Sequence, residues 1–178
     1  MGLFSRLFSH KQSKPTEPVK VPGAKVVRHK AEGTSYRQDA IQSMGKKNQD
    51  YNLNKRELVK RWPEGVTVYE YDFHPQKAEL VPEPENPEDP KAIKVLVDGV
   101  HVGYIKAGSC AHIHRLILEN RIAKIEPKIV GGKYKDLYCY DEYARMMKEV
   151  AAYELEKHSG QFGVYLNITE LPAADKNK

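Results

Sequence analysis

Hydrophobic and polar residues alternate in several short stretches of the chain, a pattern typical of strands with one buried face. The stretches are AKVVRHKAE (24–32), VTVYEYDF (66–73), AELV (78–81), AIKVLVD (92–98), VHVGYI (100–105), AKIEPKIV (123–130) and FGVYLNIT (162–169). Asp98-Gly99 separates two of them and predicts a tight hairpin. Gly33 breaks the first stretch, and AKIEPKIV continues through a bulge or turn at Gly131-Gly132 into KYKDLY (133–138). The pattern therefore predicts six or seven short strands.

Helices are predicted between these strands. RQDAIQSMGK (37–46) carries apolar residues at helical spacing, and Asn54 followed by Glu57 predicts a capping box. SCAHIHRLILEN (109–120) predicts a helix capped by Ser109, with a buried stripe formed by Ile113, Leu116 and Ile117. DEYARMMKEVAAYELEKH (141–158) predicts a helix from Asp141 that stops before Gly160. The expected fold is mainly β with inserted helices, a small barrel or strongly bent sheet.

The length of 178 residues fits one modest domain with tails. Residues 9–23 are rich in Lys, Pro and Ser, a linker composition that buries no core. We expect a flexible N-terminal segment and linker over 1–23, a folded domain over 24–170 and a disordered tail over 171–178.

Cysteine usage and hydropathy indicate a cytoplasmic protein. Cys110 and Cys139 are the only cysteines, and they form no zinc-ligand spacing and no disulfide framework. No apolar run approaches the roughly 20 residues of a membrane helix, so no membrane insertion is expected. The start, MGLFSRLF, is too short for a signal-peptide core, and contact with a membrane surface or a partner remains open for it.

Positive charge is concentrated in the first third of the chain. The formal net charge is +5, but residues 1–62 hold 14 Lys and Arg against 5 Asp and Glu. Such a patch attracts polyanions, nucleic acid first and acidic lipid second. Its densest part, which we expect to contact backbone phosphates, comprises Lys46, Lys47, Lys55, Arg56, Lys60 and Arg61.

An acidic turn, ENPEDPKAIKV (85–95), interrupts this basic protein. Pro87 and Pro90 each fix a backbone angle, so the turn is stiff. Asn86 is able to bond its own backbone two residues further on. Asp89 is therefore presented at a defined place beside the strand that begins near Ala92.

The order of motifs resembles the HIRAN domain. The resemblance is carried by GTSY (33–36), the NPxD turn followed by xAIxV (86–95), VGYI (102–105), a helix, VGGKY (130–134) and a last strand. HIRAN domains are OB-like β-barrels with added helices. They occur fused to Swi/Snf-type helicases and as small standalone bacterial proteins, and this chain resembles the standalone type. A well-described member grips the free 3′ end of single-stranded DNA.

The resemblance implies a set of site residues. Asp89 matches the acid that accepts a hydrogen bond from the 3′ hydroxyl, and Tyr36 matches the aromatic that packs against the terminal nucleotide. Asn86 matches a pocket asparagine, and Tyr104 stands where the helicase member has a histidine near the phosphates.

The chain also departs from the helicase member. Ser35 replaces an arginine, although Arg37 follows, and Ala107 replaces a lysine, although Lys106 precedes it. Glu88 replaces an aromatic residue, and with Glu83 and Glu85 it adds negative charge to the turn. These changes weaken the transfer of DNA-end binding to this chain.

The expected function is a non-catalytic nucleic-acid-binding module that recognises single-stranded DNA 3′ ends in DNA repair or processing, with no cofactor. No P-loop, HExxH or GxSxG motif is present. His112 and His114 point about 200° apart on a helix, which argues against a shared metal. Two alternatives stay open: a protein-interaction module using the acidic turn and an exposed VGYI edge, and a metal-dependent nuclease using the acids of the turn.

Overall fold

The computed structural model describes residues 22–173. The expected N-terminal segment and tail therefore lie largely outside the described residues. The strands are β1 (Lys25–Glu32), β2 (Lys46–Lys47), β3 (Val66–Tyr69), β4 (Tyr71–Asp72), β5 (Ala78–Pro82), β6 (Ile93–Val97), β7 (Val100–Ile105), β8 (Ile122–Gly131), β9 (Tyr134–Tyr138), β10 (Glu154–His158) and β11 (Phe162–Glu170). The helices are α1 (Gln38–Ser43), α2 (Lys55–Arg61), α3 (Ala107–Leu118) and α4 (Glu142–Met147), with 3-10 turns at Thr34–Arg37, Gln49–Asn52 and Val150–Ala152.

Six strands form the main sheet, in the order β5-β6-β7-β1-β11-β8, and every neighbouring pair is antiparallel. The outer strands β5 and β8 approach each other, so the sheet is nearly closed into a small barrel. The sequence prediction of a mainly β, OB-like barrel with inserted helices is confirmed.

The barrel interior holds the main core. Alternate residues of β6, β7 and β11 point inward, and α3 adds one apolar face to the same core. The fully buried members are Ile41 of α1 together with Ile93, Val95, Val97, Val102, Ile113, Leu116, Val164, Leu166 and Ile168. The predicted stripe of α3 is thus buried, with Ile117 only partly covered.

A second, smaller unit packs a three-stranded sheet, in the order β10-β9-β3, against α2. Its core contains Leu58 and Val59 of α2, Val68, Leu137 and Tyr153. The Tyr153 hydroxyl donates a hydrogen bond to the Pro63 carbonyl at 2.5 Å, which satisfies the one polar atom of this buried ring. The predicted capping box begins α2, since Asn54 and Glu57 exchange side-chain and backbone hydrogen bonds.

Two predicted helix features are wrong. Ser109 is not a cap, because α3 begins at Ala107 and the Ser109 N–H already donates to the Lys106 carbonyl at 2.8 Å. The helix expected over 141–158 ends at Met147, where Lys148 adopts a left-handed φ of 53°. Glu154–His158 instead forms β10, because pairing with β9 satisfies its backbone groups and buries part of Leu155.

Two other expectations are also corrected. The described residues contain more strands than the six or seven predicted, because a two-residue strand such as β2, which pairs with β4, is too short to show alternation. VGYI is not an exposed edge, since β7 lies between β6 and β1. The strand-addition part of the protein-interaction alternative therefore has no free edge at β7.

A buried carboxylate lies beneath α3. Glu170, 1 % exposed, contacts His112 at 3.0 Å and Lys25 at 3.1 Å. Burial by itself raises the pKa of Glu170, but the close contacts with His112 and Lys25 outweigh it and hold the pKa below its ordinary value. Burial also lowers the pKa of nearby His29, whose Nε2 has no hydrogen-bond partner among the described residues.

We expect the domain to lose stability as the pH falls. A histidine with a lowered pKa is favoured in its neutral form by folding, so that contribution fades below about pH 6.5. The contribution of Glu170 is present above about pH 4.3 and is lost as the pH falls through its lowered pKa.

Urea denaturation at pH 7 and pH 5.5 measures the loss of stability that is due to His29. His29→Gln should flatten the dependence of unfolding free energy on pH. The same change at exposed His74 is the matched control and should leave it unaltered. If the unfolding free energy of His29→Gln depends on pH as steeply as that of the wild type, His29 is not the source of this loss of stability.

Candidate nucleic-acid interface

The acidic turn is a rigid, hydrogen-bonded structure. The Asn86 N–H donates to the Glu83 carbonyl, and Asn86 Oδ1 accepts from the N–H of Glu88 and Asp89 at 3.0 and 3.3 Å. Asp89 Oδ1 accepts from the Lys91 N–H at 2.9 Å, and its carbonyl accepts from Ala92. Asp89 is half-buried, and its second carboxylate oxygen has no hydrogen-bond partner among the described residues.

Glu83 connects this turn to the barrel. It pairs with Lys94 of β6 and accepts from the Asn86 amide at 3.1 Å. The hydrogen bond from Lys94, with smaller contributions from Asn86 and Tyr104, holds the pKa of Glu83 below its ordinary value. Asn86 and Tyr104 therefore meet at one carboxylate.

A β-bulge sets the position of Tyr104. The register between β6 and β7 shifts between Val95 and Leu96, so that Lys94 lies opposite Tyr104. Tyr104 also lies opposite Glu32 on the other side, at the end of β1. Its ring contacts His101 edge-on, with centroids 4.9 Å apart.

Arg37 brings further positive charge to this group. The pKa of His101 is lowered by burial and then by the charges of Arg37 and Lys94. His101 is therefore neutral near pH 7, and Arg37 and Lys94 supply the positive charge at that pH.

Tyr36 precedes Arg37 on the 3-10 turn that packs against β7. Gly33 has a φ of 73°, a conformation that glycine adopts without strain, and the Tyr36 N–H donates to its carbonyl. Tyr36 is 89 % exposed. Ordinary barrel packing therefore does not explain this ring.

The remaining predicted site residues have different surroundings. Lys106 is exposed where β7 ends and α3 begins. Lys46 and Lys47 form β2, and Lys55, Arg56, Lys60 and Arg61 belong to α2 on the smaller unit. Arg61 pairs with Asp50 at 2.6 Å and lies over Trp62. Within residues 22–173, no hydrogen bond or ion pair joins α2 to the group around Tyr104.

The sequence analysis missed two members of this group. Neither Lys94 nor His101 was predicted to be a site residue. The alternation of AIKVLV gives the outward direction of Lys94, but the bulge that brings it opposite Tyr104 leaves no local signal. Glu83 was counted as an unfavourable charge, whereas it joins Lys94, Asn86 and Tyr104.

Residues 22–173 contain no group of three or more His, Cys, Asp or Glu side chains arranged to hold a metal ion. No helix in the same range is long and apolar enough to cross a membrane.

Comparison with known proteins gives one result. The family model of the HIRAN domain matches residues 26–148, which include the turn, the bulged hairpin, α3 and Tyr36. No curated protein and no solved structure matches the chain significantly. The match covers most of the chain, and this protein belongs to the HIRAN domain family, whose members are generally nucleic-acid-binding modules.

Proposed function

We propose that this HIRAN domain binds the free 3′ end of single-stranded DNA as a non-catalytic accessory to DNA repair or processing in the cytoplasm. The observation that carries the proposal is the group around Tyr104. It links Asn86 of the acidic turn with Lys94, His101 and Arg37, next to exposed Tyr36.

Arg37 and Lys94 are the phosphate-binding residues in this proposal. Lys94 is held by Glu83, so an incoming phosphate competes with that carboxylate for the ammonium. Arg37 has no carboxylate within 4 Å among the described residues and offers a guanidinium fork suited to phosphate. His101, beside Tyr104, is the histidine of this group, at a different position from that of the helicase member.

Tyr36 is the stacking residue. Its ring is open to solvent and lies next to Arg37. A base stacked on a tyrosine contributes roughly 1–3 kcal/mol, and the interaction tolerates any base sequence. This contact therefore contributes affinity, whereas the end of the strand is selected by Asp89.

Tyr36→Ala should weaken binding to a labelled single-stranded oligonucleotide by about tenfold, because one stacked base is lost. Fluorescence anisotropy at one fixed salt concentration measures the change. Tyr140→Ala is the matched control, since Tyr140 is 91 % exposed and belongs to the smaller unit.

Neither substitution should alter the unfolding free energy by more than about 0.5 kcal/mol, because both rings are exposed. Equal losses of affinity in the two variants would reject Tyr36 as a specific contact. No detectable binding by the wild type would reject the proposed function itself.

A further inference from the structure

The smaller unit has a second surface that the proposed function does not use. In its three-stranded sheet, Val66, Val68, Leu137 and Leu155 face α2. Since side chains alternate along a strand, the residues between them face outward. That outer sheet face consists of Thr67, Tyr69, Tyr134, Asp136, Tyr138, Glu154, Glu156 and His158.

Aromatic rings form a continuous row across the outer sheet face. Tyr69 and Tyr134 are cross-strand partners with ring centroids 5.3 Å apart. Tyr134 stacks on His158 at 4.6 Å with an interplanar angle of 18°. Tyr69 is 42 % exposed, so solvent reaches one end of the row.

Three carboxylates lie beside the row, and within residues 22–173 no ion pair joins them to a lysine or arginine. The Tyr138 hydroxyl is 3.0 Å from Glu154 and 2.5 Å from Glu156, and a single proton serves both. The hydrogen bonds to Glu156 and Glu154 raise the pKa of Tyr138. The nearest basic side chain to these carboxylates among the described residues is His158, whose Nε2 lies 3.3 Å from Glu156 and 3.5 Å from Asp136.

Charge divides the smaller unit into two sides. The inner face of the sheet packs on α2, which exposes Arg56, Lys60 and Arg61 away from it. The outer sheet face is acidic, although the whole protein has a formal net charge of +5. A nucleic-acid backbone is repelled there, because its phosphates would meet three carboxylates.

We propose that the outer sheet face binds an arginine-rich segment of a partner protein. A guanidinium stacks on tyrosine faces and donates paired hydrogen bonds to carboxylates, and both groups lie side by side here. The carboxylates of Glu154 and Glu156 stand on β10, an edge strand of this sheet, so an extended segment reaches them from the side.

A fluorescein-labelled nonapeptide of alternating Arg and Ser tests the proposal against the full chain. Anisotropy at about 0.1 M salt should give a dissociation constant below 1 mM. The double variant Glu154→Gln, Glu156→Gln should bind about fivefold or more weakly, since each exposed charge pair contributes up to about 1 kcal/mol. Glutamine still accepts from the Tyr138 hydroxyl, so folding is preserved, and circular dichroism checks this.

The matched control removes two exposed charges elsewhere. Glu85→Gln with Glu88→Gln also removes two negative charges but leaves the outer sheet face intact, and peptide affinity should change by less than about twofold. Equal weakening in both double variants, or no binding by the wild type, would overturn the proposal. The double variant Glu154→Gln, Glu156→Gln should bind single-stranded DNA as the wild type does. Weakened DNA binding by this variant would also overturn the proposal.

One further result would assign a different occupant. A tenfold gain in peptide affinity when Lys11 and Lys14 are changed to Gln would mean that the basic N-terminal segment of the chain itself occupies the outer sheet face. The partner proposal would then be rejected.

Discussion

Gly103→Ala should destabilise the domain by about 3 kcal/mol or more, because the new methyl group has no space. Gly103 has a φ of 155° and lies at the bulge of β7, where a Cβ would overlap the Glu32 carbonyl oxygen. The clash is with backbone, which cannot move without separating β1 from β7. We expect a fall in melting temperature of about 6–12 °C.

Chemical denaturation followed by circular dichroism measures this loss, and Gly108→Ala is the matched control. Gly108 lies in α3 with open space around the Cβ position. Alanine is about 1 kcal/mol better than glycine within a helix, so the control should be equally stable or slightly more stable. A Gly103→Ala domain as stable as the wild type would show that β1 and β7 adjust freely at this point.

Single strands ending in a 3′ hydroxyl should bind about ten- to a hundredfold more tightly than those ending in a 3′ phosphate. A hydroxyl donating to the free oxygen of Asp89 contributes roughly 1.5–3 kcal/mol. A terminal phosphate offers no such donor when ionised. Asp89 also repels an ionised terminal phosphate, an effect that solvent and salt screen at this half-buried carboxylate.

Fluorescence anisotropy with two oligonucleotides that differ only at the 3′ terminus measures this preference at one fixed salt concentration. Asp89→Asn should narrow the difference to about threefold, because the charge and its repulsion are removed. Glu88→Gln removes the neighbouring charge without affecting the proposed acceptor, and it should retain most of the preference. Equal affinity of the wild type for both ends would reject end recognition but leave binding to single strands intact.

Much of the fold was predictable because the signals are local. The Asp98-Gly99 hairpin depends on two positive φ angles, 48° and 81°, that these residue types accept. The Asn54–Glu57 capping box joins groups only three residues apart. Alternation identified the faces of β6, β7 and β11, since a residue's neighbours determine its direction in a strand.

The candidate site was predictable in part, for the same reason. The turn that presents Asp89 is built from Asn86 and two prolines within five residues. Asn86 Oδ1 accepts the expected hydrogen bond from the Glu88 N–H and a second one from the Asp89 N–H. The positions of Lys94 and His101 relative to Tyr104 were not predictable. They depend on a register shift between two strands, which pairing across the whole sheet selects.

The sequence by itself determined the strands of the barrel, the Asp98-Gly99 turn, the Asn54–Glu57 capping box and the rigid presentation of Asp89, because each depends on residues close together in the chain. Only the tertiary structure decided that Glu154–His158 is a strand, that basic α2 belongs to a separate core and that Arg37 lies near His101. In each of these cases the partners are far apart in sequence. Their contact is decided by the packing of whole elements, which outweighs local preference.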